Sequence, residues 1–167
     1  MPLPETPRLF LREFTSEDAP FLLELLNSPG WLQYIGDRNI HTAEEASKYI
    51  TGRLIPSYTQ YGFGFYLVTR KYDEEKIGMC GLVKRASLED VDIGYAFLPD
   101  YTGKGYALEA TQAILNYGRR DLKLEKIVAI TNIDNVRSIR LLEKVGMKCE
   151  KKMTLPGETV ELFLYVV

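Results

Sequence analysis

The stretch Val91 to Leu108, VDIGYAFLPDYTGKGYAL, constrains the chain more than any other. It reads as an apolar strand, a short turn carrying Gly103 and Gly105, and the start of a helix. A helix start leaves several backbone N–H groups without intrahelical partners. The aligned peptide dipoles make the same spot electropositive. Glycine at both positions removes the Cβ atoms that would hold a bulky anion away from the backbone. Lys104, between them, adds a point charge. The turn of Gly103, Lys104 and Gly105, with Tyr106, Ala107 and Leu108 opening the helix, is therefore expected to hold a diphosphate. Two known glycine motifs do not describe it. The Gly-Lys-Ser/Thr ending of a Walker loop is missing, and Leu108 stands where a dinucleotide fingerprint needs its third glycine.

The chain has 167 residues, 46% of them hydrophobic, which suits one globular domain over 1–167 with a real core. No run approaches the roughly 18 uncharged apolar residues of a membrane span. The opening MPLPETPRLFLREF lacks the basic-then-apolar build of a secretory signal, so a cytoplasmic protein is expected. Cys80 and Cys149 lie in apolar strand-like runs and read as buried reduced thiols. With a single His beside them, no metal site is expected. Residues 1–100 carry 10 Lys and Arg against 15 Asp and Glu, whereas residues 101–152 carry 11 against 6. The basic part begins at the glycine turn and suits an anionic cofactor. The acidic part suits a cationic partner such as an amine. Solvated faces that mix on folding would give the same count.

Hydrophobic alternation predicts strands over 8–14, 63–69, 76–84, 91–98, 127–131, 149–155 and 159–166. Helices are expected from Thr15 or Ser16 to Asn27, from a capping box at Thr42 and Glu45 to about Ser57, over 105–119, and over 135–145. Trp31–Tyr34 reads as a short helical turn or loop. The order is α+β, or mixed α/β, with helices on both faces of one mostly antiparallel sheet. The strands flanking the 105–119 helix form the parallel pair, joined by a right-handed crossover.

A second constellation is NIDNVRSIRLLEKVGM, residues 132–147. Asn132 and Asn135 fall at the end of a parallel strand, where open sheets of this kind place ligands. Their amides suit the amide groups of a pantetheine arm. The spacing equally suits Asn135 as a helix cap with Ser138 as its partner.

Together and in this order, IGYAFLPDYTGKGYALEA and NVRSIRLLEKVGM resemble the GNAT superfamily of acetyl-CoA-dependent N-acetyltransferases. The opening TPRLFLREFTSEDAPFL is similar to the branch containing ribosomal-protein-alanine N-acetyltransferases. The resemblance covers nearly the whole chain. It implies the GNAT fold, acetyl-CoA as cosubstrate, and an amine acceptor on a protein N-terminus or a small molecule. It also implies backbone pairing of the pantetheine near Phe97 and Leu98, the pyrophosphate on the 103–108 turn, and cofactor contacts from Asn135 and Ser138. Two departures stand out. Thr102, counted with the cofactor-binding residues of the turn, replaces a frequent Arg or Gln, so phosphate binding rests on backbone and Lys104; Leu142 replaces the Tyr that serves many members as general acid.

An amine must be neutral to attack a thioester, so a base is needed. Asp92, on the fourth strand, is the candidate; Glu89 is the reserve. His41 has a suitable intrinsic pKa but sits in a polar loop and is expected at the surface. Trp31, Tyr34 and Asp37, with Arg38, are expected to line the acceptor site, an aromatic wall with one acidic group. Trp31 and Tyr34 would equally serve to cover the core. Direct transfer in a ternary complex is expected, since neither Cys has a polar, basic neighbourhood. A CoA-binding sensor of the same fold is the alternative. The acidic overall balance and missing RNA-binding aromatics argue against nucleic acid. Edge strands of such a sheet leave monomer and homodimer open.

Overall fold

A computed structural model describes residues 2–167. Seven strands form one sheet: β1 (Leu9–Glu13), β2 (Phe65–Arg70), β3 (Lys76–Val83), β4 (Val91–Phe97), β5 (Ile127–Asn132), β6 (Lys148–Met153) and β7 (Leu162–Val166). Their spatial order is β1-β2-β3-β4-β5-β7-β6, and every neighbouring pair is antiparallel except β4 with β5. The mixed sheet and its single parallel pair match the sequence reading.

Six α-helices cover the sheet: α1 (Ala19–Leu26), α2 (Pro29–Tyr34), α3 (Ala43–Tyr49), α4 (Ile55–Tyr61), α5 (Tyr106–Arg120) and α6 (Val136–Lys144). Strand alternation divides the core in two. On one face Cys80, Leu82, Ile93, Ile127 and Ala129 pack beneath α5 and α6, with Ile114 and Leu142 fully buried. On the other, Leu67, Met79 and Leu98 meet Leu22, Leu25, Ala46 and Ile50 of α1, α3 and the turn after it. β3, IGMCGLV, is buried on both faces because it lies in the middle.

Two features differ from the sequence reading. The helix from Thr42 does not end near Ser57. A π turn at Ile50–Leu54 joins α3 to α4, and helix continues to Tyr61 before Gly62 closes it in the left-handed region. Pro56 has no N–H and its ring crowds the preceding turn; the wider turn just before it accommodates both, so the helix passes through. Cys149 is exposed, unlike Cys80. It sits on edge strand β6, whose residues are nearly all exposed and charged, a pattern that discourages pairing with other chains.

The start of α1 is tied down by Asp18, only 1% exposed. Arg12 of β1 forks onto its two carboxylate oxygens at 2.8 Å each, Lys76 of β3 lies at 2.8 Å, and the Thr15 N–H donates at 2.9 Å. Burial would push this carboxyl up, but the Arg12 and Lys76 bonds overcome that and hold it well below the usual carboxylate range. A depressed carboxylate pKa gives stability that is present above the unfolded value of about 3.9 and lost as pH falls through the folded value. Asp18→Asn is expected to cost about 2–3 kcal/mol at pH 7. This is less than for a wholly buried pair, because Arg12 is half exposed. Urea denaturation across pH 2–7 checks this: the variant's stability should vary less with pH below about 4.

Candidate functional site

After β4 the chain makes a 3-10 turn, Pro99–Tyr101, and enters the glycine turn. Gly103 and Gly105 have φ of +74° and +83°, the left-handed region that glycine adopts without strain. The N–H groups of Gly103, Lys104 and Gly105 meet no acceptor among the described residues. Those of Tyr106, Ala107 and Leu108 are the usual free donors of a helix start, and Gly105 has no side chain to cap them. Thr102 contributes no free hydroxyl, because its Oγ1 donates to the Pro99 carbonyl at 2.8 Å.

Arg8, not singled out in the sequence, shapes this turn from the residue just before β1. It donates to the Lys104 carbonyl at 3.1 Å, pairs with Glu109 at 3.2 Å and lies 4.4 Å over the Tyr106 ring. Holding the Lys104 carbonyl to one side leaves the N–H groups free on the other, and the guanidinium adds charge beside them. The signal was weak: an Arg at the start of a predicted strand has no local pattern to mark it.

β4 and β5 pair only at Val91 with Ile127 and at Asp92 with Val128. Beyond that row β4 continues to Phe97 and β5 to Asn132, so the strands part and leave a slot. The Leu98 N–H donates to the Ile77 carbonyl at 2.9 Å. Antiparallel alternation then turns Ala96 and Gly94 toward β3, and the backbone groups of Tyr95 and Phe97 toward the slot. The expectation for Leu98 is corrected here: its N–H is taken by Ile77, its carbonyl accepts from Tyr101, and its side chain is buried in the core. Phe97, with Tyr95, offers the free backbone.

Each face of the slot is bridged. On the α5 and α6 face, the Tyr95 hydroxyl meets Ser138 Oγ at 2.6 Å. Asn135 Oδ1 accepts from the Ser138 N–H at 3.2 Å and so caps α6. On the opposite face, the Asn132 amide donates to the Tyr34 carbonyl at 2.7 Å and holds α2 over the end of β5. Burial pushes the Tyr95 hydroxyl up to about 12, against a smaller opposing effect of the Ser138 bond.

Asp92 closes the slot's inner end in the last paired row, 1% exposed. Arg85 Nε lies 3.1 Å from both of its oxygens. Burial pushes its carboxyl up from the ordinary value, with Arg85 opposing. Near the outer end of β5 a cavity of about 350 Å³ is lined by Tyr34, Gln33, Asn132, Asp134, Val160 and Glu161.

The Acetyltransferase (GNAT) domain family matches residues 8–148. The chain belongs to the GNAT acetyltransferase family. It is 30% identical over 145 residues, 87% of this chain and 82% of the relative, to the uncharacterized N-acetyltransferase YnaD of Bacillus subtilis. A GNAT-family acetyltransferase structure from Bacillus anthracis superposes with a TM-score of 0.82 at 26% identity, covering 99% and 98% of the two chains. RimL, a ribosomal L7/L12 alpha-N-protein acetyltransferase solved in complex with coenzyme A, has the same fold. Its TM-score is 0.84 at 21% identity, with 99% and 96% covered.

In this GNAT acetyltransferase the structure brings the turn, Phe97, Asp92, Ser138 and Asn135 around one slot. Trp31 and Asp37 do not line the cavity with Tyr34. Trp31 is buried in the α1 and α3 core, its apolar ring packed away from water. Asp37 is 56% exposed and accepts from the Asn39 N–H at 2.8 Å, fixing its own loop. His41 is exposed, as expected, 4.0 Å from Asp37. Glu89 is exposed in the β3–β4 loop, outside the slot. Leu142 is wholly buried in the core beneath α6.

The Tyr95–Ser138 bond is expected to couple β4 to α6. Tyr95→Phe leaves Ser138 without its partner and should cost about 1–3 kcal/mol. Adding Ser138→Ala should recover part of that loss, giving a coupling energy of about 1 kcal/mol in a urea-denaturation double-mutant cycle. Strict additivity would show that the bond carries no energy.

Proposed function

We propose that this protein transfers the acetyl group of acetyl-CoA to a primary amine, on a protein N-terminus or a small molecule, by direct attack with both bound. The observation that carries this reading is the slot itself. It has an anion turn on the α5 face at its mouth and a carboxylate-bearing cavity toward the α2 face. The residues present fit acetyl-CoA. The free N–H groups of Gly103–Leu108, with Lys104 and Arg8 beside them, suit a diphosphate. The unpaired backbone of Tyr95 and Phe97 suits the amides of a pantetheine arm. The free side of the Asn135 amide, whose oxygen caps α6, supplies a further donor.

When bound, the cosubstrate supplies an acyl thioester whose leaving thiol has a pKa of roughly 8.5 on the cysteine scale. A thiolate of that kind departs without a proton, so the aliphatic Leu142 needs no substitute acid. The protein's part is orientation and proton removal. Asp92 points to the face opposite α5, where an acceptor enters beneath α2, and takes the amine proton through a water. Burial raises its basicity and Arg85 keeps it fixed. Tyr34, Asp134 and Glu161 offer an aromatic and two carboxylates to an incoming ammonium. An N-terminal amine, with an unperturbed pKa of roughly 7.7–8.0 against 10.4 for Lys, gives up its proton more easily. That chemistry, with the resemblance of the opening TPRLFLREFTSEDAPFL, supports an acceptor like that of the ribosomal-protein-alanine branch and a protein working in the cytoplasm as a monomer or homodimer. The second reading, a CoA-binding sensor, is favoured by one observation: Leu142, which by resemblance takes the place of a tyrosine donor, is a fully buried aliphatic side chain.

Thiol release from acetyl-CoA against peptides with free Ala or Ser N-termini, polyamines and aminoglycosides tests both. Asp92→Asn keeps an acceptor for Arg85 Nε. It is expected to lower kcat about 10²-fold or more at pH 7, with unchanged CoA affinity. The deficit should narrow as pH rises and the amine deprotonates by itself. A hit untouched by Asp92→Asn moves the base elsewhere. CoA binding with no turnover on any amine favours the sensor.

A further inference from the structure

Two buried side-chain polar atoms lack a hydrogen-bond partner among the described residues, Trp31 Nε1 and Thr131 Oγ1. Thr131 is 6% exposed and sits on β5. It stands three residues beyond Val128, as Tyr95 stands three beyond Asp92, the last paired row. Had the parallel pairing continued, Tyr95 and Thr131 would face each other. Alternation puts Thr131 on the same face as Ile127 and Ala129, the face of α5 and α6. Tyr95 and Thr131 therefore flank the slot at one level and on one face. The Tyr95 hydroxyl is satisfied by Ser138. The Thr131 hydroxyl is not.

A buried hydroxyl without a partner is costly, and such groups in native structures call for an explanation. Valine has the same shape and would fill this position without that cost. The anion turn lies on the α5 face at the outer end of β4, so an arm held there reaches the slot on the side of Tyr95 and Thr131. The backbone of Phe97 and Tyr95 serves the amides along the way. What remains at the level of Thr131 is the arm's sulfur end.

We propose that the Thr131 hydroxyl binds the sulfur of the CoA arm, donating its hydrogen bond to the thiolate released when the acyl group leaves. This rests on the acetyl-CoA reading above. It gives the leaving group a fixed donor within the slot, in a fold where Leu142 supplies none.

The test is calorimetric binding of CoA, and of CoA lacking its sulfur (dethio-CoA), to the full chain and to Thr131→Val, at a pH above the pKa of the free CoA thiol, where it is mostly ionised. Thr131→Val is expected to bind CoA about tenfold more weakly, the worth of one hydrogen bond to a charged group, and dethio-CoA with unchanged affinity. Its melting temperature without ligand should equal or exceed that of the unaltered protein. Thr131→Ser, which keeps the hydroxyl, should retain CoA affinity within about threefold, a change of well under one hydrogen bond. Unchanged CoA affinity in Thr131→Val, or equal losses for both ligands, overturns the proposal. Failure of the unaltered protein to bind either ligand defeats instead the acetyl-CoA reading on which it stands.

Discussion

The early separation of β4 from β5 is the constraint on which the site depends. The two strands share only two rows, yet each is fully paired on its other side, β4 with β3 and β5 with β7. The sheet is thus two well-bonded halves joined by a short parallel seam. Backbone N–H and C=O groups in a protein interior need partners, so an open seam is tolerated where a ligand or water completes it. The slot is built from backbone, as is the glycine turn at its outer end, and the Asp92 side chain closes its inner end.

The helices then assign the faces. α5 must start where β4 ends, so its free N–H groups lie at the slot's mouth on one face. α2 is pinned over β5 from the other face by the Asn132–Tyr34 bond. In the proposed reaction a donor and an acceptor entering from opposite faces would meet between the strands, the geometry that direct transfer requires. Asp18, with its Arg12 and Lys76 partners, anchors the start of α1 to β1 and β3 and so keeps that helical layer in register with the sheet.

The elements and their order were legible because periodicity reports burial: IVAIT is buried strand, and the glycines of the turn take the positive φ that their spacing suggests. The turn and the Asn135–Ser138 cap came through because each is a local pattern. What failed to come through was non-local. Arg8 reaches the turn from almost a hundred residues away. Thr131 lies within an ordinary apolar strand, and only the divergence from β4 makes its hydroxyl conspicuous. Trp31 and Asp37 neighbour Tyr34 in sequence, but helical geometry sends Trp31 into the core, and Asp37 falls in the exposed loop beyond the end of α2. Leu98 follows Phe97, yet strand alternation commits its N–H to β3.

Amide hydrogen exchange, followed residue by residue by NMR with and without CoA, tests the slot most directly. The amides of Ala96 and Leu98, bonded to β3, should be protected in both states. Those of Tyr95 and Phe97 should exchange faster without CoA and become strongly protected when it is added. Unchanged exchange at Tyr95 and Phe97 in a sample saturated with CoA would contradict a cofactor arm paired with β4 in this slot.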